Sequence, residues 1–132
     1  MKNLIAYINS TVNNKYNNMS SIFPMMPAGM EVGYANGYVA VPKDHPFFGK
    51  GYDDVDINIH GGLTFATSGD NICKDFSETE VLEGCLYDLD KNWWVFGFDT
   101  CHYMDNLDNW PREAVIDETL NLKKQLEEAY KI

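Results

Sequence analysis

The stretch "MEVGYANGYVAV", Met30 to Val41, sets Asn36-Gly37 between two short runs of strand-forming residues. An Asn-Gly pair in that position is the strongest short-range hairpin signal, because both central residues of a tight hairpin turn need a positive φ. The stretch therefore predicts two antiparallel strands. Further along, "KNWWVFGFDT" (Lys91–Thr100) is aromatic and β-branched and reads as a strand interrupted by Gly97. In "VDINIHGGLTFA" (Val55–Ala66), Val55, Ile57 and Ile59 alternate with Asp56, Asn58 and His60, which predicts a half-buried strand. From Pro111 onward the pattern becomes helical, with Glu113 in the first turn and Val115, Leu122, Leu126 and Ala129 on one stripe, joined by Ile116 and Leu120. The expected fold is α+β: a mostly antiparallel sheet with a C-terminal helix packed on one face.

The expected domain runs from residue 30 to residue 132. Residues 1–29 read as an N-terminal helix or arm followed by an apolar connector. Leu4, Ile5, Ile8 and Val12 recur at helical spacing among helix-weakening asparagines, and "SIFPMMPAGM" (Ser21–Met30) is extended and apolar. This arm is expected to cover a sheet edge or to swap to a partner in a homo-oligomer. Between Thr67 and Asp90 the pattern is weak, with turns near Ser68-Gly69-Asp70 and a short acidic helix near "SETEVLEG" (Ser77–Gly84).

Twenty acidic against ten basic residues give a net charge of −10, which opposes binding to nucleic acids and to anionic membranes. Three cysteines form no even disulfide framework, and the N-terminus lacks a secretory pattern. Both features point to a cytoplasmic protein with free thiols.

Two polar clusters stand at strand ends: His60-Gly61-Gly62 with Thr64, and Asp99, His102 and Asp105 after the Trp93-Trp94 pair. Adjacent glycines open the backbone to a close neighbour, and tryptophan, histidine, aspartate and threonine supply stacking faces and directional hydrogen bonds. Neighbouring strands would bring these residues into one cleft floored by tryptophan, suited to a nucleotide-derived ligand. Consecutive tryptophans face opposite ways in a strand, so one of the two is expected in the core. Paired-histidine phosphoesterase chemistry fits less well: Thr64 follows His60 by four residues rather than two, and Met104 occupies the matching place after His102. His60, Asp99, Cys101, His102 and Asp105 are possible metal ligands, but their spacing matches no metal motif, so neither metal nor cofactor is expected. The loop "KDHPFFGKGYDDVD" (Lys43–Asp56) reads in two ways. Lys43, His45, Lys50 and Tyr52 form a lid over an anionic ligand, or the loop is ordered and Asp53 and Asp54 pair with its lysines.

Taken as a set, "GYVAVPKDHPFFGKGYDDVDINIHGGLTFA" (37–66), "WWVFGFDTCHYMDN" (93–106) and "REAVIDETLNLKKQLEE" (112–128) resemble small proteins encoded by phages and prophages. In these a GYVxVPxxHPxxGKxYDD loop precedes HGGLT, a WWxGFDxxH strand and a C-terminal helix. The resemblance implies a host bacterial cytoplasm and a counter-defence context, and names no reaction. The expected function is sequestration, without catalysis, of a nucleotide-derived immune messenger by His60, Gly61, Gly62, Thr64, Trp93, Trp94, Asp99 and His102, with Lys43, His45 and Tyr52 above. Two alternatives are a hydrolase of such a messenger that uses His60 and His102, and an acidic protein-binding inhibitor of a host defence enzyme.

Overall fold

The computed structural model, which describes residues 3–11 and 32–130, places Asn36 and Gly37 inside one continuous strand rather than in a turn. Five strands form a single antiparallel sheet: β1 (Ile5–Ser10), β2 (Ala35–Pro42), β3 (Phe65–Ser68), β4 (Thr79–Glu83) and β5 (Trp93–Phe98), in the order β3-β5-β2-β1-β4. Helix α1 (Arg112–Tyr130) packs against β2 and β1, so the α+β fold with a C-terminal helix on the sheet is as the sequence predicts.

The hairpin expectation fails because Gly37 is paired on both sides, to Ile8 of β1 and to Phe98 of β5. A Cβ on Gly37 would lie 2.2 Å from Thr119 Oγ1 and 2.4 Å from the Phe98 ring. Its φ is not positive. The glycine therefore serves the close approach of α1 to the sheet, not a reversal of the chain.

The N-terminal expectation is also corrected: residues 5–10 form a strand, not a helix, and β1 sits inside the sheet between β2 and β4. β1 thus belongs to the same core as the strands that follow, and the expected boundary near residue 29 lies outside the described residues. Leu4, Ala6 and Ile8 face the helix side, while Ile5 and Tyr7 face the other side. An apolar run buried on both faces satisfies a helical and an extended pattern equally, and sheet pairing decides between them. Val12 and the Ser21–Met30 connector, with the expectation of self-association that rests on it, lie outside the described residues.

Both faces of the sheet are covered. On one face Val115, Leu122 and Leu126 of α1 pack with Val39, Val41, Phe96 and Phe98. Each such fully buried side chain is worth about 1.5–3 kcal/mol relative to exposure. Thr119, rather than Leu120, completes the buried stripe; its hydroxyl donates to Val115 O at 2.7 Å, and Leu120 is exposed. On the other face, Leu86 and Leu89 from the segment between β4 and β5 close over Tyr7, Ala40, Trp93 and Val95. The "SETEVLEG" stretch is the edge strand β4 rather than an acidic helix, and Arg112 at the start of α1 forms a forked ion pair with Glu80 on it.

Val55–Ile59 forms no strand and the chain turns at His60-Gly61, contrary to the sequence expectation. The partners of this segment are side chains of α1. Gln125 receives the Asn58 N–H at 2.9 Å and returns its own amide to Asn58 O at 2.8 Å, and Glu118 receives the His60 N–H at 2.7 Å. The alternation survives as burial, with Ile59 in the core and Asp56 and Asn58 exposed. Among the described residues, no helix is long and apolar enough to cross a membrane.

Candidate functional site

Two loops at one end of β5 build the site. The first is a tight turn in which Gly62 N–H donates to Ile59 O at 3.0 Å, and Gly61 and Gly62 both hold a positive φ, 68° and 77°. Thr64 N–H then donates to Gly97 O at 2.9 Å, which aligns this segment with β5. The second loop, residues 99–110, leaves β5 and leads into α1. Thr100 anchors its start: the hydroxyl donates to Ala35 O at 2.7 Å and the N–H to Asn36 Oδ1 at 3.2 Å. Asn106 and Asn109 hold its far part, since Asn106 Oδ1 accepts from the N–H groups of Asp108 and Asn109 and Asn109 Nδ2 donates to Met104 O. Trp110 O accepts from Tyr34 N–H at 2.9 Å, which ties the loop's end to the strand region before β2.

Where the loops meet, His60 Nε2 lies 2.9 Å from both Oδ1 and Oδ2 of Asp105. A carboxylate only accepts, so this nitrogen donates. Asp105 is nearly inaccessible, at 5% exposure, and its Oδ2 also accepts the His102 N–H at 2.9 Å. The His60 ring lies against Trp110, tilted by 37° with centroids 4.1 Å apart, and meets the His102 ring edge to face at 5.2 Å. His102 Nε2 is 3.1 Å from Asp99 Oδ1. That approach lacks the alignment of a hydrogen bond, so the nitrogen is buried with no hydrogen-bond partner. Asp99 Oδ1 instead accepts the Cys101 N–H at 3.1 Å. Burial, and then the Asp99 and Asp105 carboxylates, push the Cys101 thiol up to about 11, so it stays protonated near neutral pH.

Gly61, the glycine that follows His60, has a steric cause. A Cβ there would lie 2.1 Å from His102 Nε2, so the group that approaches this backbone is the second histidine. Gly62 has open space beside it, and only its φ calls for glycine.

Of the residues expected in the site, the structure brings together His60, Gly61, Gly62, Asp99 and His102, with Asp105 at the centre. Thr64 is exposed, and only its backbone bond to Gly97 is formed there. Trp93 and Trp94 do not floor the cluster. Trp93 is buried with Val95 and Leu89 on the face opposite the helix, and Trp94 donates its Nε1–H to Lys50 O at 2.8 Å and packs near Phe48. The tryptophan of the site is Trp110, which the sequence does not single out: it stands in a loop, immediately before the Pro111 that signals the helix.

Lys43, His45 and Tyr52 belong to a different place. His45 is 3% exposed; its Nε2 donates to Leu126 O at 2.8 Å and its Nδ1 accepts the Phe47 N–H at 2.9 Å. This pins the 43–51 loop to α1, and the Trp94 bond pins it to β5. Lys43 on that loop and Tyr52 just after it are exposed. Burial holds His45 below its ordinary value of 6.5, against the opposing pull of the Leu126 carbonyl and of Asp44, whose carboxylate accepts the nearby Tyr130 hydroxyl. A histidine held below its unfolded value adds stability that is fully present above about pH 6.5 and is lost as pH falls, because the unfolded chain takes up the proton first. Urea unfolding of the native chain is therefore expected to weaken between pH 7 and pH 5. His45→Gln should be less stable at pH 7 but flatter across that window, and equal slopes for the two proteins would show that His45 contributes nothing to the decline.

His60, His102 and Asp105 each offer a donor atom within 4.8 Å of the others, which makes them the potential metal ligands of this site. Away from it, on the sheet face opposite the helix, a cavity of about 230 Å³ is lined by Tyr7, Tyr38, Phe65 and Phe76 with Asn71 and Thr79. Comparison of the chain with protein-family models, with curated proteins and with solved structures returned no match.

Proposed function

We propose that the protein binds a phosphate-bearing, nucleotide-derived small molecule at the His60–His102–Trp110 site and sequesters it unchanged. In the phage setting that the sequence resemblance implies, the ligand would be a messenger of bacterial immunity. The observation that carries this reading is the convergence of two histidines, two carboxylates and an indole from segments 45 residues apart at an open glycine turn. Aromatic faces and directional polar groups at one spot are what a base, ribose and phosphate require.

Paired-histidine hydrolysis is disfavoured by the ring geometry. An acid and a base must flank the scissile phosphate, whereas His60 and His102 touch edge to face at 5.2 Å, which leaves no room for one between them.

The test is a thermal-shift and fluorescence screen against cyclic dinucleotides and ADP-ribose derivatives, with recovery of the ligand for mass analysis. A true ligand at 100-fold over its Kd stabilises by about 2.7 kcal/mol, which appears as a rise in Tm. Quenching of tryptophan fluorescence is expected to persist in Trp93→Phe and Trp94→Phe and to vanish in Trp110→Phe. Quenching lost at Trp94 instead would move the ligand to the 43–51 loop, and a chemically altered ligand would make the protein an enzyme. The absence of any shift would reject the nucleotide class and leave a protein target.

A further inference from the structure

We propose that His60, His102 and Asp105 bind a divalent transition-metal ion of the zinc or cobalt type. The argument starts from charge. With both imidazoles in the neutral form that ligates metals, the cluster sets the Asp99 and Asp105 carboxylates beside the two rings and Glu118 on the His60 N–H, and no ion pair to a lysine or arginine is made there among the described residues, inside a chain of net charge −10. Such a site attracts a divalent cation and by itself repels the phosphate that the proposed ligand carries.

Ligand type selects the ion. Two imidazoles with one carboxylate suit zinc, cobalt or nickel, whereas magnesium and calcium prefer oxygen donors throughout. Spacing agrees. Donors around a tetrahedral zinc stand about 3.3 Å apart, given bonds of about 2.0–2.1 Å. Here the closest pair, His60 Nε2 and an Asp105 oxygen, is 2.9 Å apart and the three donors lie within 4.8 Å, so the values bracket what the ion needs. On ligation the His60 ring proton passes from Nε2 to Nδ1, so that the neutral imidazole presents the Nε2 lone pair to the ion, while Asp105 Oδ2 keeps the His102 N–H.

His102 is the second observation. Its Nε2 is buried without a hydrogen bond, an expensive state for an imidazole nitrogen, and Asp99 stands 3.1 Å away. An ion held through Nδ1 would fix this ring with its Nε2–H toward Asp99, the outer carboxylate partner, and so give the ring the polar anchor it lacks. Trp110 shields one face of His60 from water. Three protein ligands leave a coordination position open, and occupation of that position by a ligand phosphate is the one step that rests on the function proposed above.

The test uses the full chain stripped with EDTA and titrated with Co²⁺, read by visible absorption and by Tm, with Zn²⁺ competition and Mg²⁺ as control. The expected result is one Co²⁺ per chain, displaced by Zn²⁺, with a raised Tm and no response to Mg²⁺. His102→Gln, at a partly exposed position that leaves the core intact, and Asp105→Asn are each expected to weaken binding at least about 10-fold. Folded protein with no cobalt band and no Tm rise would overturn the site, as would unchanged affinity in His102→Gln or an equal response to Mg²⁺. Nucleotide binding is measured separately with and without Zn²⁺. Metal binding without nucleotide binding keeps the metal site and rejects the ligand, whereas equal nucleotide affinity in EDTA keeps the ligand and rejects the ion's role in holding it.

Discussion

Gly37→Ala is expected to destabilise the protein by about 3 kcal/mol or more, at the upper end of overpacking costs, because the added methyl meets neighbours that cannot retreat. Its Cβ falls 2.2 Å from Thr119 Oγ1 and 2.4 Å from the Phe98 ring. Phe98 is 1% exposed within the sheet, and the Thr119 hydroxyl is bonded to Val115 O in the buried stripe of α1. The helix must lift from β2 or the strand must bend. For a chain this size the loss corresponds to a fall in Tm on the order of 10 °C, measurable by circular dichroism. Thr119→Ala should recover part of it, since the double variant removes one of the two collisions, and the non-additivity of the pair measures their contact. No such rescue would follow if Asn36-Gly37 were a hairpin turn away from the helix, so the double variant discriminates between the two readings of this stretch.

Gly37 also shows why part of the fold is hidden in the sequence. The Asn-Gly pair carries a local turn preference, but pairing on both sides of β2 and a helix that needs a missing side chain override it. Leu4–Ile8 fails for the opposite reason, since a strand buried on both faces shows no alternation to read. By contrast, Trp93–Phe98 and the stripe from Val115 to Leu126 are legible because their residue types and their period agree. Val55–Ile59 has the right period and no strand partner: periodicity reports which side chains are buried, not what satisfies the backbone between them.

The site divides along the same line. His60, Asp99 and His102 are recognisable as polar residues at the ends of apolar runs, and Asp105 follows at short range. Trp110 is not recognisable, because nothing local distinguishes a tryptophan that packs against a distant histidine from one that fills space. Trp93 and Trp94 attract attention by being adjacent, yet adjacency in a strand sends them to opposite faces. One is taken by the core behind the sheet and the other by the Lys50 carbonyl. His45 is misplaced for a related reason: its partner Leu126 is 81 residues away, and its loop composition alone resembles that of a mobile lid.

Gly61→Ala and Gly62→Ala are expected to part company in function, although they share a backbone conformation. Both residues sit at positive φ, so alanine at either costs about 1–2 kcal/mol of left-handed strain. At Gly62 the methyl points into open space, and strain is the whole effect. At Gly61 the same methyl falls 2.1 Å from His102 Nε2, and the ring, about one-third exposed, escapes by swinging outward rather than by unfolding the domain. Gly61→Ala should therefore keep the circular-dichroism spectrum of the native chain, lose little more Tm than Gly62→Ala, and separate His102 from Asp99 and from the His60–Asp105 pair. Cobalt binding, and any ligand binding at this site, should drop by at least about 10-fold in Gly61→Ala while Gly62→Ala stays near the native value. Equal losses in the two variants would tie the effect to the turn itself, and equal retention would mean that His102 takes no part in binding. The paired substitution thus separates the two reasons a chain has for placing glycines after His60, one conformational and one steric, and only the steric one depends on a second histidine being there.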